Sequence, residues 1–227
     1  MAIPAVTYSN GPAFEQISQI RETLLMMSSL ASRNLALAMR ALIERDEKLA
    51  HAVETEDSQL DELEVTIDEM VINHMATHAP VATDCRFMLV ASKISSDLER
   101  IADQAVAIAR RSLELNKEPL LKPLIDIPRM AQIAESMLRD SITALVDRKP
   151  ELAQEIVKRD KEVDAINKQL ARELTSFMLE DPSTITRALN LTIVARCLER
   201  VADHCKNIAE EVYYLYHAVD IRHDRGA

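Results

Sequence analysis

An all-α fold follows from three observations. The chain of 227 residues contains only two glycines, Gly11 and Gly226. It runs from Ala13 to Ala79, 67 residues, without a Gly or Pro. Two of its long stretches with apolar residues at helical spacing also match each other at a fixed offset. An average domain carries about 7% Gly, and the tight turns of most sheet folds need glycine's positive φ. The same scarcity excludes glycine-built phosphate cradles, both the P-loop and the dinucleotide fingerprint. Aromatic content of 3% with no Trp leaves no platform for stacking single-stranded bases.

The helices follow in order. One helix over residues 13–79 would extend about 100 Å, so the polar run Glu44-Arg45-Asp46-Glu47-Lys48 is where the chain is expected to fold back. The pattern predicts helices over 13–43, 47–77 and 83–116. The segment from Asn116 to Pro128 contains Pro119, Pro123 and Pro128 and reads as a linker. Further helices are predicted over 128–147, 150–179 and 184–218, with Pro150 and Pro182 suited to first-turn or pre-helix positions.

The second half repeats the first. Asp84–Leu115 laid on Thr184–Leu215 at an offset of 100 matches at nine positions: Leu89, Leu98, Glu99, Arg100, Ala102, Asp103, Ile108, Ala109 and Leu115. At the centre, Leu98-Glu99-Arg100-Ile101-Ala102-Asp103 meets Leu198-Glu199-Arg200-Val201-Ala202-Asp203. Upstream the offset becomes 103, pairing Asp57 and Asp61 with Asp160 and Asp164. The change falls at a loop, where insertions are tolerated. The expectation is six helices forming two tandem, sequence-related three-helix bundles, 1–116 and 117–227.

Net charge is −10. Up to Asn116 there are 10 basic and 18 acidic residues, and beyond it 17 and 19, so the halves carry −8 and −2. Neither half suits DNA or an anionic lipid surface. Cys85, Cys197 and Cys205 are an odd number without paired spacing, which favours a reducing compartment. The first basic side chain is Arg21, so the signature of a signal peptide is missing. No apolar run approaches the ~20 residues of a membrane span. A cytoplasmic protein is expected.

Acidic pairs carry the candidate chemistry. Glu99/Asp103, Glu199/Asp203, Asp57/Asp61 and Asp160/Asp164 are each four residues apart, hence neighbours on one helical face. Like charges so placed weaken a helix by a few tenths of a kcal/mol. On a helical wheel, Phe87, Ala91, Ile94, Leu98, Ala102, Ala105 and Ala109 form an apolar stripe with Glu99 and Asp103 on its margin. In the second helix the stripe is Leu49, Val53, Leu60, Leu63, Ile67 and Val71, and its margin is Glu54, Asp57, Asp61, Glu64 and Asp68. If the margins face each other, four or more carboxylates share a partly solvated rim and must protonate, spread apart or bind cations. Oxygen-only ligands suit Mg, Mn, Ca or iron better than a closed zinc site. A solvated acidic face is the ordinary fate of one such pair; four at matched positions argue otherwise. The second half is thinner, with Val157 and Asn167 where the first has Glu54 and Glu64.

Other candidates are weaker. His204 and Cys197 fall on the margin opposite Glu199, and Cys205 falls in the apolar stripe, where buried thiols are common; all three read as structural residues. Arg110-Arg111 and Lys158-Arg159-Lys161 read as solvated faces. Glu-x-x-His, the ferritin-like di-metal signature, occurs nowhere in the chain. That counts against a helical di-metal carboxylate enzyme. A third reading is a histidine phosphotransfer module with His204 as its exposed acceptor.

The chain resembles the PhoU family of phosphate-signalling regulators along nearly its whole length. The likeness rests on Pro80-Val81-Ala82-Thr83-Asp84-Cys85-Arg86, on Ser96-Asp97-Leu98-Glu99-Arg100-Ile101-Ala102-Asp103, and on Leu198-Glu199-Arg200-Val201-Ala202-Asp203-His204-Cys205-Lys206-Asn207-Ile208. The tail Asp220-Ile221-Arg222-His223 is also similar. Ala102 and Ala202 stand where the family commonly has Gly, and Cys85 where it commonly has Leu. The resemblance implies metal ions at the acidic pairs, with Asp57, Asp61, Glu99 and Asp103 forming one site and Asp160, Asp164, Glu199 and Asp203 the other. It implies a cytoplasmic adaptor and not an enzyme. Such an adaptor links a phosphate ABC transporter, through its ATPase subunit, to a membrane sensor histidine kinase. It represses the phosphate-starvation response and limits uptake. A homodimer is also expected.

Overall fold

A computed structural model describes residues 11–221. Seven α-helices follow one another: α1 Pro12–Glu44, α2 Glu47–Glu56, α3 Ser58–His78, α4 Ala82–Asn116, α5 Asp126–Asp147, α6 Leu152–Glu180 and α7 Ile185–His217. Among the described residues there is no strand. α2 and α3 are two parts of the second predicted rod, so the six-helix, two-bundle plan holds. α1, α2/α3 and α4 form the first bundle, and α5, α6 and α7 the second. Of the tail motif, Arg222 and His223 lie outside the described residues.

With so little glycine, helix ends use other means. Pro12 opens α1 at a position whose N–H has no intrahelical partner. The fold-back lies where the polar run placed it: Arg45 closes α1 in the left-handed region (φ 57°). Asp46 then caps α2 by accepting from the backbone N–H of Lys48 and Leu49, at 2.8 and 3.3 Å. Ala79, Arg148 and Ala218 also end helices at positive φ, where glycine is usual and a Cβ costs about 1 kcal/mol. Arg45 offsets its strain by donating to the carbonyls of Leu115, Asn116 and Glu118, at 3.3, 2.9 and 2.7 Å, which seals the exposed end of α4.

One expectation fails in an instructive way. The predicted helix over 47–77 is interrupted at Asp57, where the ladder tightens to a bond from the Leu60 N–H to the Asp57 carbonyl of 2.9 Å. α6, its counterpart, is unbroken. The first half reads Glu54-Thr55-Glu56-Asp57-Ser58 at the break, and the second Val157-Lys158-Arg159-Asp160-Lys161. Thr, Asp and Ser are weaker helix formers than Lys and Arg. The first run also crowds like charges.

α4 and α7, the two matching helices, pack on each other and join the bundles, and α1 also touches α5. The whole predicted α4 stripe, from Phe87 to Ala109, is buried. Ala102, Ala105, Ala202 and Ala209 are fully buried too, and such small side chains let the helix backbones approach closely. Leu98 and Leu198 sit at zero exposure in one continuous core, and truncating either to Ala would cost about 2–5 kcal/mol. Polar contacts cross this seam: Lys93 Nζ to Glu211 Oε1 at 2.9 Å, and Arg111 Nη1 to Asn190 Oδ1 at 3.4 Å.

Candidate acidic sites

The first acidic edge is carried by the α2–α3 break, α3 and α4. The break carries Asp57, one turn before Asp61 on α3, and α4 brings Glu99 and Asp103 alongside. These groups feel one another. Burial first, then the charges of Asp103, Glu64 and Asp61, push the Glu99 carboxyl up to about 7, against a smaller pull from Arg100. Burial also raises Asp57, helped by Asp61 and Asp103 and opposed by Arg110. All four residues expected here therefore share one field, with Glu64 as a fifth member.

The ends of the edge are tied off. Glu54 accepts from Arg110 Nε at 2.9 Å and lies 3.3 Å from His51, and the Arg110 bond holds its carboxyl below the usual range. Asp68 Oδ1 accepts from Ser92 Oγ at 2.6 Å. Among the described residues, no Lys or Arg forms an ion pair with Asp57, Asp61, Glu64, Glu99 or Asp103. Nor do any three His, Cys, Asp or Glu side chains among them stand arranged around a single point that an ion could fill. The first edge is gathered but open, and a cation would have to draw its side chains inward.

The second edge is built differently. Lys206 Nζ donates to Asp160 Oδ2 at 2.8 Å and to Asp203 Oδ1 at 2.7 Å, bridging α6 and α7. Asn167 Nδ2 donates to Glu199 Oε2 at 2.7 Å. Asp160 is 6% exposed, and burial raises its carboxyl more than Lys206 lowers it. Burial works against the Lys206 charge as well, but its bonds to Asp160 and Asp203 outweigh that and raise its pKa. Lys206 and Asn167 are the residues that sequence reasoning overlooked. The signal was present, since Lys206 stands three residues after Asp203, a spacing at which helical side chains meet.

Three further expectations are corrected. His204 is not an exposed acceptor: its side chain is 16% exposed and its Nδ1 lies 2.9 Å from Asp97 Oδ1 on α4. Asn207 Nδ2 also reaches Asp97 Oδ1, at 3.5 Å, so this end of His204 is spent on the seam between bundles. Arg111 is not on a solvated face, being half-buried and donating to Asn190 across the seam, whereas Arg110 stays exposed as expected while it pairs with Glu54. Arg159 likewise turns inward, pairing with Asp140 at 2.6 Å and donating to Ser136 Oγ at 3.0 Å. Cys197 and Cys205 are buried free thiols, Cys205 as its place in the apolar stripe suggested and Cys197 although the wheel puts it on a margin.

The repeated bundle has a counterpart among known proteins. The PhoU domain family model matches residues 24–112 and again 127–212, one copy per bundle. The chain belongs to the PhoU family. It is 36% identical over 209 residues to a Pseudomonas putida protein named a phosphate-specific transport system accessory protein PhoU homolog, covering 92% of this chain and 82% of that one. A homologue of the same name from Aquifex aeolicus is 37% identical over 210 residues, covering 92% and 95%. The crystal structure of PhoU from Pseudomonas aeruginosa superposes with a TM-score of 0.88 at 34% identity, across 91% of this chain and 99% of that one. No helix of this PhoU-family chain, among the described residues, is long and apolar enough to cross a membrane.

Proposed function

We propose that the chain is an accessory protein of a phosphate-specific transport system, acting as a regulator and not as a catalyst. The observation that carries this reading is the doubled PhoU-domain match, together with relatives of that name aligned over most of both lengths. It acts in the cytoplasm, as a homodimer, between the ATPase subunit of a phosphate transporter and a membrane sensor histidine kinase, and restrains the starvation response when phosphate is plentiful. The linker over 117–125 divides it into units 1–116 and 117–227. Deleting the gene should raise a phosphate-starvation reporter in high phosphate, and an unchanged reporter would reject the role. Light scattering of the purified chain should give twice the monomer mass, and the monomer mass would reject the dimer.

The first acidic edge takes a divalent or iron-type cation. Asp57, Asp61, Glu99 and Asp103, with Glu64 beside them, are hard oxygen donors. Their fit is supported by the raised Glu99 and Asp57 carboxyls, where burial and neighbouring carboxylates outweigh the pull of Arg100 and Arg110. A bound cation would supply a counter-charge and tie the α2–α3 break to α4. Asp160, Asp164, Glu199 and Asp203 match in position, but two of them already hold an ammonium. Metal content of dialysed protein, measured by mass spectrometry, should fall when Glu99 and Asp103 become Asn. Equal content in variant and parent would reject the site.

A further inference from the structure

The two acidic edges stand on matching positions, yet among the described residues only in the second is a pair of the matched carboxylates bridged by a cation, since Arg110 in the first holds Glu54 at the end of the edge. Lys206 Nζ sits between Asp160 and Asp203 at 2.8 and 2.7 Å. At the matching place in the first half is Val106, an apolar core residue, and where Asn167 holds Glu199 the first half has Glu64. We propose that Lys206 is a built-in counter-ion that closes the second edge to divalent cations. Ion binding in this chain is then confined to the edge formed by Asp57, Asp61, Glu64, Glu99 and Asp103. The proposal rests on the reading of that first edge as an ion site.

The physical case has three parts. A divalent ion at the second edge would need oxygens of Asp160 and Asp203, and both carboxylates already bind the ammonium in charge-assisted hydrogen bonds. Lys206 is tethered, so its effective concentration at the site is high and needs no free ion. An incoming ion would also have to expel an ammonium that stays on the same helix and repels it. Asp160 Oδ1 is buried with no hydrogen-bond partner, so the pocket around Lys206 retains an unused oxygen facing no competing donor. Removing the ammonium would therefore leave a vacant cation position and not a neutral surface.

The test is binding of Mn2+ to the full, metal-stripped chain, followed by the resonance signal of free Mn2+ and by thermal melting. Lys206→Met should bind more Mn2+ than wild type and melt higher when Mn2+ is added, as a ligand of the native state requires. Asp160→Asn/Asp203→Asn should bind as much as wild type. Equal Mn2+ in wild type and Lys206→Met, or a loss in Asp160→Asn/Asp203→Asn, would overturn the proposal. If Lys206→Met does not fold, Lys206→Gln and the Asp160/Asp203 pair carry the same readings. Glu99→Gln/Asp103→Asn separates the two claims: undiminished Mn2+ there rejects the first-edge site, while a gain in Lys206→Met still stands for Lys206.

Discussion

Asp57, Asp61, Glu99 and Asp103 in the first half, and Asp160, Asp164, Glu199 and Asp203 in the second, occupy matching helical positions with opposite surroundings. In the first half the nearest charges to Glu99 include Asp103, Glu64 and Asp61. In the second, Lys206 and Asn167 meet the carboxylates with donors. The helix beneath differs in the same direction, being interrupted at Asp57 and continuous through Asp160. The duplicated scaffold thus carries carboxylates at matching places in both copies, and among the described residues only in the second are two of the matched four bridged by a lysine. The same acidic spacing can leave a charge open or closed, depending on one residue three positions away.

The sharpest way to break this contrast is to remove the ammonium. Lys206→Ala in chelator should lower stability by about 3 kcal/mol, because a carboxylate that is already buried loses its partner. Asp57→Asn, which relieves repulsion, should not destabilise. Chemical denaturation of both variants checks this, and a Lys206→Ala loss below that of Asp57→Asn would refute it.

Glu99→Gln is expected to act next most strongly, and with the opposite sign. Glu99 binds its proton near 7 in the fold against an ordinary 4.5, so the native state holds more protons between those values. Its contribution is complete below about 4.5 and is lost as pH rises to about 7. In metal-free protein at pH 8, Glu99→Gln should therefore raise stability by on the order of 1 kcal/mol once solvent screening is allowed for. It should also flatten the decline between pH 4.5 and 7 in a melting series.

Helix endings offer a smaller contrast. α3 ends on Ala79 at φ 42°, whereas α6 ends on Asp181 at φ −141°, whose side chain accepts from the Ser183 N–H at 2.9 Å. Ala79→Gly should stabilise by about 0.5–1 kcal/mol, and Asp181→Ala should destabilise by a similar amount through loss of its cap. Thermal melts would show the two shifts in opposite directions. Smallest of all, Ser58→Lys copies Lys161 and places a cation four residues after Glu54. A gain of about 0.3 kcal/mol is expected, with circular dichroism reading added helix.

Most of the scaffold was legible before any coordinates. Ala13 to Ala79 without Gly or Pro admitted little but helix, the polar run at Glu44–Lys48 marked the fold-back, and three prolines marked the linker. The buried stripe of α4 followed from spacing alone. The gathering of Asp57, Asp61, Glu99 and Asp103 was conditional on two margins facing each other, which periodicity suggests but does not fix. The break at Asp57 lay below the resolution of periodicity, since a single tightened turn leaves the apolar spacing on both sides nearly intact. His204 is structural, as its sequence context favoured, but its wheel position says only which margin it occupies, not that another bundle covers that margin with Asp97.

By itself the sequence determined the helical rods and the duplication, because these depend on backbone freedom and on apolar residues a few positions apart. Only the tertiary structure decided which charges meet across helices. That depends on the rotation of one rod against another and on how far a long side chain such as Lys206 reaches, and a shift of a few ångströms there separates an ion pair from a repulsion. Composition and spacing carry no record of that distance.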